Sequence, residues 1–276
     1  LKADEPALGA RLNVPQPVSA AGLMPRARNE TGGIGKAMGA LFEELDYRDT
    51  PIGGLSLRRR RELKLGVDVF EIKLGEEFLM SSLFTASEIA LARLGLAGQQ
   101  GPDLNVVVGG LGLGYTTQAV LEHDNIGAVL VVDALEAVID WHRQGLVPLG
   151  PELTADPRCH FVLGDFFALA ASETGFDPDQ PGRQFDAILV DIDHSPDALL
   201  DDGNASFYGE AGFTRLTTHL RPGGVFGLWS NEVPDAAFTA RLGRVFADAR
   251  AEEVTFHNPL QDKPFTQTVY LANKRA

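Results

Sequence analysis

From Leu104 onward the sequence alternates between two periodicities. Short β-branched runs, "LNVVVG", "AVLVVD", "CHFVLGD", "FDAILVD" and "GVFGLWS", are followed in turn by "YTTQAVLEHD", "LEAVIDWHRQ", "FFALAAS", "FTRLTTHL" and "AAFTARLGRVFADA", which read as helices. Val106, Val107 and Val108 have the unbroken apolar character of a strand covered on both faces. Such repeated alternation predicts a doubly wound α/β fold with a parallel sheet. The closing segments "EEVTFHN" and "TQTVYLANK" predict an antiparallel hairpin at the sheet edge. Ligands of such sheets bind outside the carboxyl ends of the strands.

Three features fall there. Gly110, Gly112 and Gly114 lie in the bend between the first strand and its helix, where bare backbone can turn sharply and a ligand can approach the amides. Many glycine turns bind nothing, so the pattern needs companions. Asp133 ends the second strand about 20 residues on, the spacing from which an acid can accept both hydroxyls of a ribose; a helix N-cap is the competing role. Asp165, in "LGDFF", is placed to accept from an adenine amino group with Phe166 packed on the ring, or simply to cap the next helix.

The segments before Leu104 divide differently. Residues 1–40, rich in Ala, Pro and Gly, read as a loosely structured arm, and "TGGIGKA" within it lacks the upstream glycine and the Ser or Thr of a phosphate loop. Residues 41–97 carry β-leaning segments such as "VDVFEIKLG" and "EEFLM", then a helical stretch from Ser82 to Leu94. They predict a small β-hairpin and helix subdomain, leaving 98–276 as the nucleoside-binding catalytic domain. Arg58 to Arg61 read as an exposed strand paired with nearby acids, or as an anion site.

The formal charge of -14, from 38 acidic and 24 basic side chains, argues against a nucleic-acid binder, because a phosphate backbone would be repelled. Cys159 is the single cysteine, so no intrachain disulfide or cysteine metal cluster can form, and it reads as a small packed residue rather than a nucleophile. The scattered histidines show no ligand spacing, so no metal is expected. No apolar run approaches the roughly 20 residues of a spanning helix, and no charged-then-apolar leader is visible. A cytoplasmic protein without membrane attachment is the expectation.

With "GGLGLG", the acid Asp133, the "GD" at Asp165, "FDAILVD" and "YGEAGFTRLTTHLRPGG" in one order, residues 104–224 resemble the spermidine synthase family. The resemblance implies a Rossmann-like class I methyltransferase fold, a sulfonium nucleoside as donor and a homodimer. It places Asp133 at the ribose, Asp165 at the adenine, and Asp191 where the proton of an attacking amine is accepted. Tyr208 keeps the family's loop position.

Departures from the family pattern are also present. The acid that holds the amino group of decarboxylated AdoMet falls at Gly112, and the second gate acid falls at His194 in "DIDHSP", a residue that would repel a diamine when protonated. The tyrosine-histidine-glutamate pattern is replaced by "MSSLFTASEIA". These losses favour AdoMet-dependent methyl transfer to a small-molecule acceptor other than a simple linear diamine. Aminopropyl transfer from decarboxylated AdoMet to a polyamine is the alternative, and a non-catalytic nucleoside-binding module the second. Asp191 is the expected base, needing burial to raise its pKa, with His194 the alternative base or a solvated loop residue. Asp193 is a candidate replacement for the missing gate acid. Trp229 is a wall of the acceptor pocket or an ordinary core tryptophan.

Overall fold

The computed structural model describes residues 41–50 and 52–275, so the arm expected over 1–40 lies outside the described residues. Four antiparallel strands open the described chain: β1 (Phe42–Thr50), β2 (Gly53–Glu62), β3 (Val67–Leu74) and β4 (Glu77–Ser81), in spatial order β1-β2-β3-β4. Arg58 to Arg61 lie on β2, between two acid-bearing strands. Arg59 meets Glu43 at 2.6 Å, Arg61 meets Asp68 at 3.1 Å, and Arg60 lies between Glu62 at 2.7 Å and Glu71 at 2.6 Å. The paired reading of this run is therefore what the structure shows. Each exposed pair contributes only about 0.2–1 kcal/mol, so the run mainly fixes strand register.

Helix α1 (Ala86–Leu96) starts later than the sequence suggests, because Ser81 Oγ accepts from Leu83 N–H at 3.1 Å and holds a turn ahead of the N-cap, Thr85. The large sheet follows: β5 (Leu104–Gly109), α2 (Tyr115–Leu121), β6 (Ile126–Asp133), α3 (Glu136–Arg143), α4 (Gly150–Ala155), β7 (Cys159–Leu163), α5 (Phe166–Ala171) and β8 (Phe185–Val190). A 3-10 turn over Asp202–Tyr208 leads to α6 (Glu210–Thr217), β9 (Leu220–Ser230), α7 (Ala236–Val245), β10 (Ala247–Asn258) and β11 (Lys263–Asn273). Strand order is β10-β11-β9-β8-β5-β6-β7, with β7, β6, β5, β8 and β9 parallel and the last hairpin antiparallel at the edge. The expected doubly wound sheet and edge hairpin are present.

Period-two alternation splits the core between the two faces. Val106, Val108, Val129, Val131 and Leu189 pack under α1, α2 and α3, whereas Val107, Leu130, Val132, Ile188 and Val190 face an aromatic layer. In that layer Phe226 stacks on Phe246 with centroids 5.4 Å apart, and Phe213 packs against both. Helix α1 packs on β9, β11 and β8 as well as α2, which ties the segment after the small sheet directly to the large one. The fully buried Trp141 on α3 donates its indole N–H to Asp46 Oδ2 on β1 at 2.7 Å, a second link between the sheets. No helix among the described residues is long and apolar enough to cross a membrane.

Candidate active site

The chain order reverses between β5 and β8, and the crevice of such a sheet opens at that switch point. Asp191 N–H donates to Gly109 O at 2.8 Å there, and Gly110 N–H to Val132 O at 2.9 Å, so three strand ends are laced together. The glycine turn is bare for specific reasons. Gly110 has φ 90°, and a β-carbon on it would collide with the Asp191 carbonyl oxygen. Gly112 has φ 47°, and the Met80 sulfur of β4 occupies the space a side chain would need. That sulfur also accepts from Leu113 N–H at 2.9 Å. From below, His142 of α3 lies 3.0 Å from Gly112 O; burial pushes the imidazole down to about 4, so it is neutral and donates through Nε2.

A cleft of about 310 Å3 lies over this turn, in the size range of small-ligand sites. Asp133 and Asp165 both reach it, from neighbouring strand ends. Asp133 Oδ2 accepts from Leu111 N–H at 2.9 Å and Oδ1 from Leu135 N–H at 2.8 Å. Burial raises its carboxyl, and the amides of Leu135, Leu111 and Gly112 offset part of that rise. Each oxygen keeps a lone pair for a ligand hydroxyl. Asp165 is the N-cap of α5 through Oδ1 alone, accepting from Phe167 N–H at 2.9 Å and Ala168 N–H at 3.2 Å. Capping and ligand binding are thus compatible, since Oδ2 makes no bond to a described residue. Phe166 borders the cleft but is 2% exposed, wedged against Gly109 and stacked on Phe176 at 5.0 Å. The neighbouring Phe167 is half-buried, packs edge-on against Phe207 at 5.1 Å and also lines the cleft.

Asp191 follows β8 at the opposite side of the cleft. Thr116 Oγ1 donates to its Oδ2 at 2.7 Å, and burial carries the carboxyl up to about 6 despite that bond. The sequence reading missed its neighbour, Glu88 of α1, which is 7% exposed, lines the same cleft and is pushed up to about 8 by burial and then by the Asp191 charge. Its Oε2 lies 2.7 Å from Ser87 Oγ.

A second cavity, of about 220 Å3, adjoins the first across Glu88, Met80 and Trp229 and is lined by Phe84, Phe256 and Phe265. Trp229 borders both, with its indole N–H donating to Ser87 Oγ at 2.9 Å, so it is a partition between the chambers. His194 turns into the second chamber, its Nε2 3.3 Å from Phe78 O, and does not line the Asp191 cleft. Asp193 and Tyr208 are each 2% exposed and line neither chamber. Tyr208 O–H donates to Asp193 Oδ2 at 2.6 Å, while Asp193 Oδ1 accepts from Leu200 N–H at 2.8 Å. Where an acceptor contact was expected, this pair fastens the loop after β8. Cys159 is far from a nucleophile: burial pushes its thiol up to about 12.

Sheet order, switch-point cleft and strand-end acids together define a nucleoside-type α/β transferase fold. A family model for the spermine/spermidine synthase domain matches residues 86–235, more than half of the chain, and the protein belongs to that family. A polyamine aminopropyltransferase of Aeropyrum pernix is 29% identical over 128 residues, 46% of this chain and 37% of that protein. The match thus spans little more than a third of the relative's length. The crystal structure of spermidine synthase from Thermotoga maritima superimposes with a TM-score of 0.62 at 18% identity, over 84% of this chain and 72% of the other. A spermidine synthase in complex with the transition-state analogue AdoDATO gives 0.64 at 19% identity, over 84% and 73%. At such identity the two structures establish the fold.

These findings correct the expectation of methyl transfer. The family is that of spermine and spermidine synthases, and none of the three relatives is a methyltransferase. Of the departures, Gly112 lines the first cavity, His194 the second, and Met80 and Glu88 of "MSSLFTASEIA" line both. The acid at the head of the cleft is retained, and a second acid, Glu88 within that altered segment, stands beside it.

Proposed function

We propose that the chain is an aminopropyltransferase that takes decarboxylated AdoMet as donor and a small polyamine-type amine as acceptor. The observation that carries this reading is Asp191, a buried acid raised to about 6, facing Asp133 and Asp165 across one cleft in a spermine/spermidine synthase family domain. Asp133 accepts from the ribose hydroxyls, Asp165 Oδ2 from the adenine amino group, and Phe167 covers the base. Asp191 accepts the proton that the attacking amine must lose. The sulfonium is already an activated leaving group, so the protein's task is chiefly positioning and proton removal.

The test is an incubation with decarboxylated AdoMet and a panel of amines, followed by mass analysis. Methylthioadenosine and an amine longer by one aminopropyl unit are expected, and Asp191→Asn should suppress both while leaving methylthioadenosine binding in place. Failure to form methylthioadenosine with any amine rejects the reading. We also propose self-association through the small sheet, supported by the exposed apolar side chains of Phe42, Tyr47 and Val67. Light scattering that finds only monomer at assay concentration would reject that part.

A further inference from the structure

The hydroxyl of Ser87 is fully buried and has three polar neighbours: Trp229 Nε1 at 2.9 Å, Gln267 Oε1 at 2.7 Å and Glu88 Oε2 at 2.7 Å. It owns one proton and can accept two. Trp229 can only donate to it. In the orientation the two amides take in this structure, Gln267 Nε2 donates to Asn231 Oδ1 at 2.8 Å and its oxygen faces Ser87, where it accepts. The hydroxyl proton therefore goes to Gln267, and the bond between Ser87 and Glu88 needs a proton from Glu88.

The surroundings agree with that count. From α2, Thr116 bridges the neighbourhood of the two acids, lying 2.7 Å from Asp191 Oδ2 and 3.3 Å from Glu88 O. Glu88 faces Asp191 beyond β8, Tyr115 on α2, Trp229 on β9 and Gln267 on β11, with His194 farther along the second chamber. No Lys or Arg lines either chamber among the described residues, so nothing cationic from the protein favours two ionised carboxyls side by side.

We infer that Glu88 is a positioning residue for the transfer reaction, entering it protonated and limiting the acid pair at the head of the cleft to one negative charge, carried by Asp191. This deepens the aminopropyltransferase reading and rests on it. The acceptor arrives as an ammonium and gives one proton to Asp191. Its freed electron pair attacks the methylene carbon bound to the donor sulfur; the N–C bond forms, the C–S bond breaks, and the bonding pair stays on sulfur as a neutral thioether. The product leaves as a secondary ammonium, Asp191 returns its proton to solvent, and Glu88 keeps its own throughout. A second negative charge would hold the acceptor as an unreactive ammonium and would break the Ser87 chain.

Glu88→Gln tests this, because glutamine donates to Ser87 as the acid does but cannot ionise. Wild-type kcat should carry a falling limb above about pH 8 that the variant lacks, so the variant-to-wild-type ratio should rise about tenfold between pH 7 and pH 9. A ratio that does not change with pH would overturn the proposal. Thermal midpoints give an independent reading that needs no turnover. A carboxyl raised by folding contributes stability that is complete below its unfolded value and is lost as pH rises through its folded one. The wild-type midpoint should therefore fall between about pH 5 and 8 more steeply than that of Glu88→Gln. Equal slopes would show that Glu88 is ionised, with the hydroxyl proton of Ser87 directed to it, and would reject the assignment. If no amine turns over, the aminopropyl reading fails by itself, and the midpoints still decide where the proton resides.

Discussion

Thr116 donates its hydroxyl to Asp191 Oδ2 at 2.7 Å, so the acid at the head of the cleft is held by the helix that leaves the glycine turn. The glycine turn and Asp191 are thus joined through α2.

The bond to Thr116 favours the ionised carboxyl and works against the burial that raises Asp191 to about 6. Thr116→Val should move Asp191 further up, and with it the acid limb of kcat/KM. Turnover at pH 6 should fall several-fold, with a smaller change at pH 8, in a pH–rate profile. An unmoved limb would show that another group titrates.

Asp133→Ala and Asp165→Ala should each weaken methylthioadenosine by about 10- to 100-fold in calorimetry, the loss of one or two hydrogen bonds to a charged group. Each variant strips two backbone amides of their acceptor, but those of Asp133, Leu111 N–H and Leu135 N–H, are part-buried while those of Asp165, Phe167 N–H and Ala168 N–H, are exposed, so Asp133→Ala should be the more damaging. Unchanged affinity in both variants would remove the nucleoside site from this cleft.

Tyr208→Phe leaves Asp193 Oδ2 buried without its donor and should cost about 1–3 kcal/mol in urea unfolding. Burial already raises Asp193, and the tyrosine bond offsets part of that rise. Its loss should raise the carboxyl further, so the destabilisation should grow as pH increases. Nucleoside affinity should barely change if the pair fastens the loop; a large loss would return Tyr208 to the site.

Asp46→Ala removes the acceptor of the fully buried Trp141 N–H and should cost about 1–3 kcal/mol. Burial by itself would raise Asp46, but the bonds from Trp141 and Arg48 outweigh it and the carboxyl sits below its usual range. Its contribution is therefore present above the unfolded value and lost as pH falls through the folded one. The gap between wild type and variant should narrow in acid, which denaturant titrations at two pH values can measure.

The sheet was legible because its strands, buried on both faces, leave unbroken runs such as Val106 to Val108. That Asp133, Asp165 and Asp191 converge on one cleft was legible because all three lie at or just beyond strand ends, which the sequence marks. Glu88 was not. It is one acid in an ordinary helix, and its meaning comes from Gln267 and Trp229, which reach the adjacent Ser87 from 180 and 142 residues away. The Asp193 and Tyr208 contact was equally hidden: their spacing fits a substrate loop, and only folding turns the two side chains toward each other. Gly112 illustrates a further limit. A missing side chain can be read from sequence, but the Met80 sulfur that fills its place cannot.

That sulfur has a corollary for redesign. Because the β4 methionine sulfur sits where a β-carbon at position 112 would go, a carboxylate placed there must displace the flexible Met80 side chain, whereas the φ of 47° is close to those that Asp103, Asp248 and Asp262 adopt. The small sheet thus reaches the glycine turn itself, and an engineer altering position 112 would have to treat β4 as part of the same design problem.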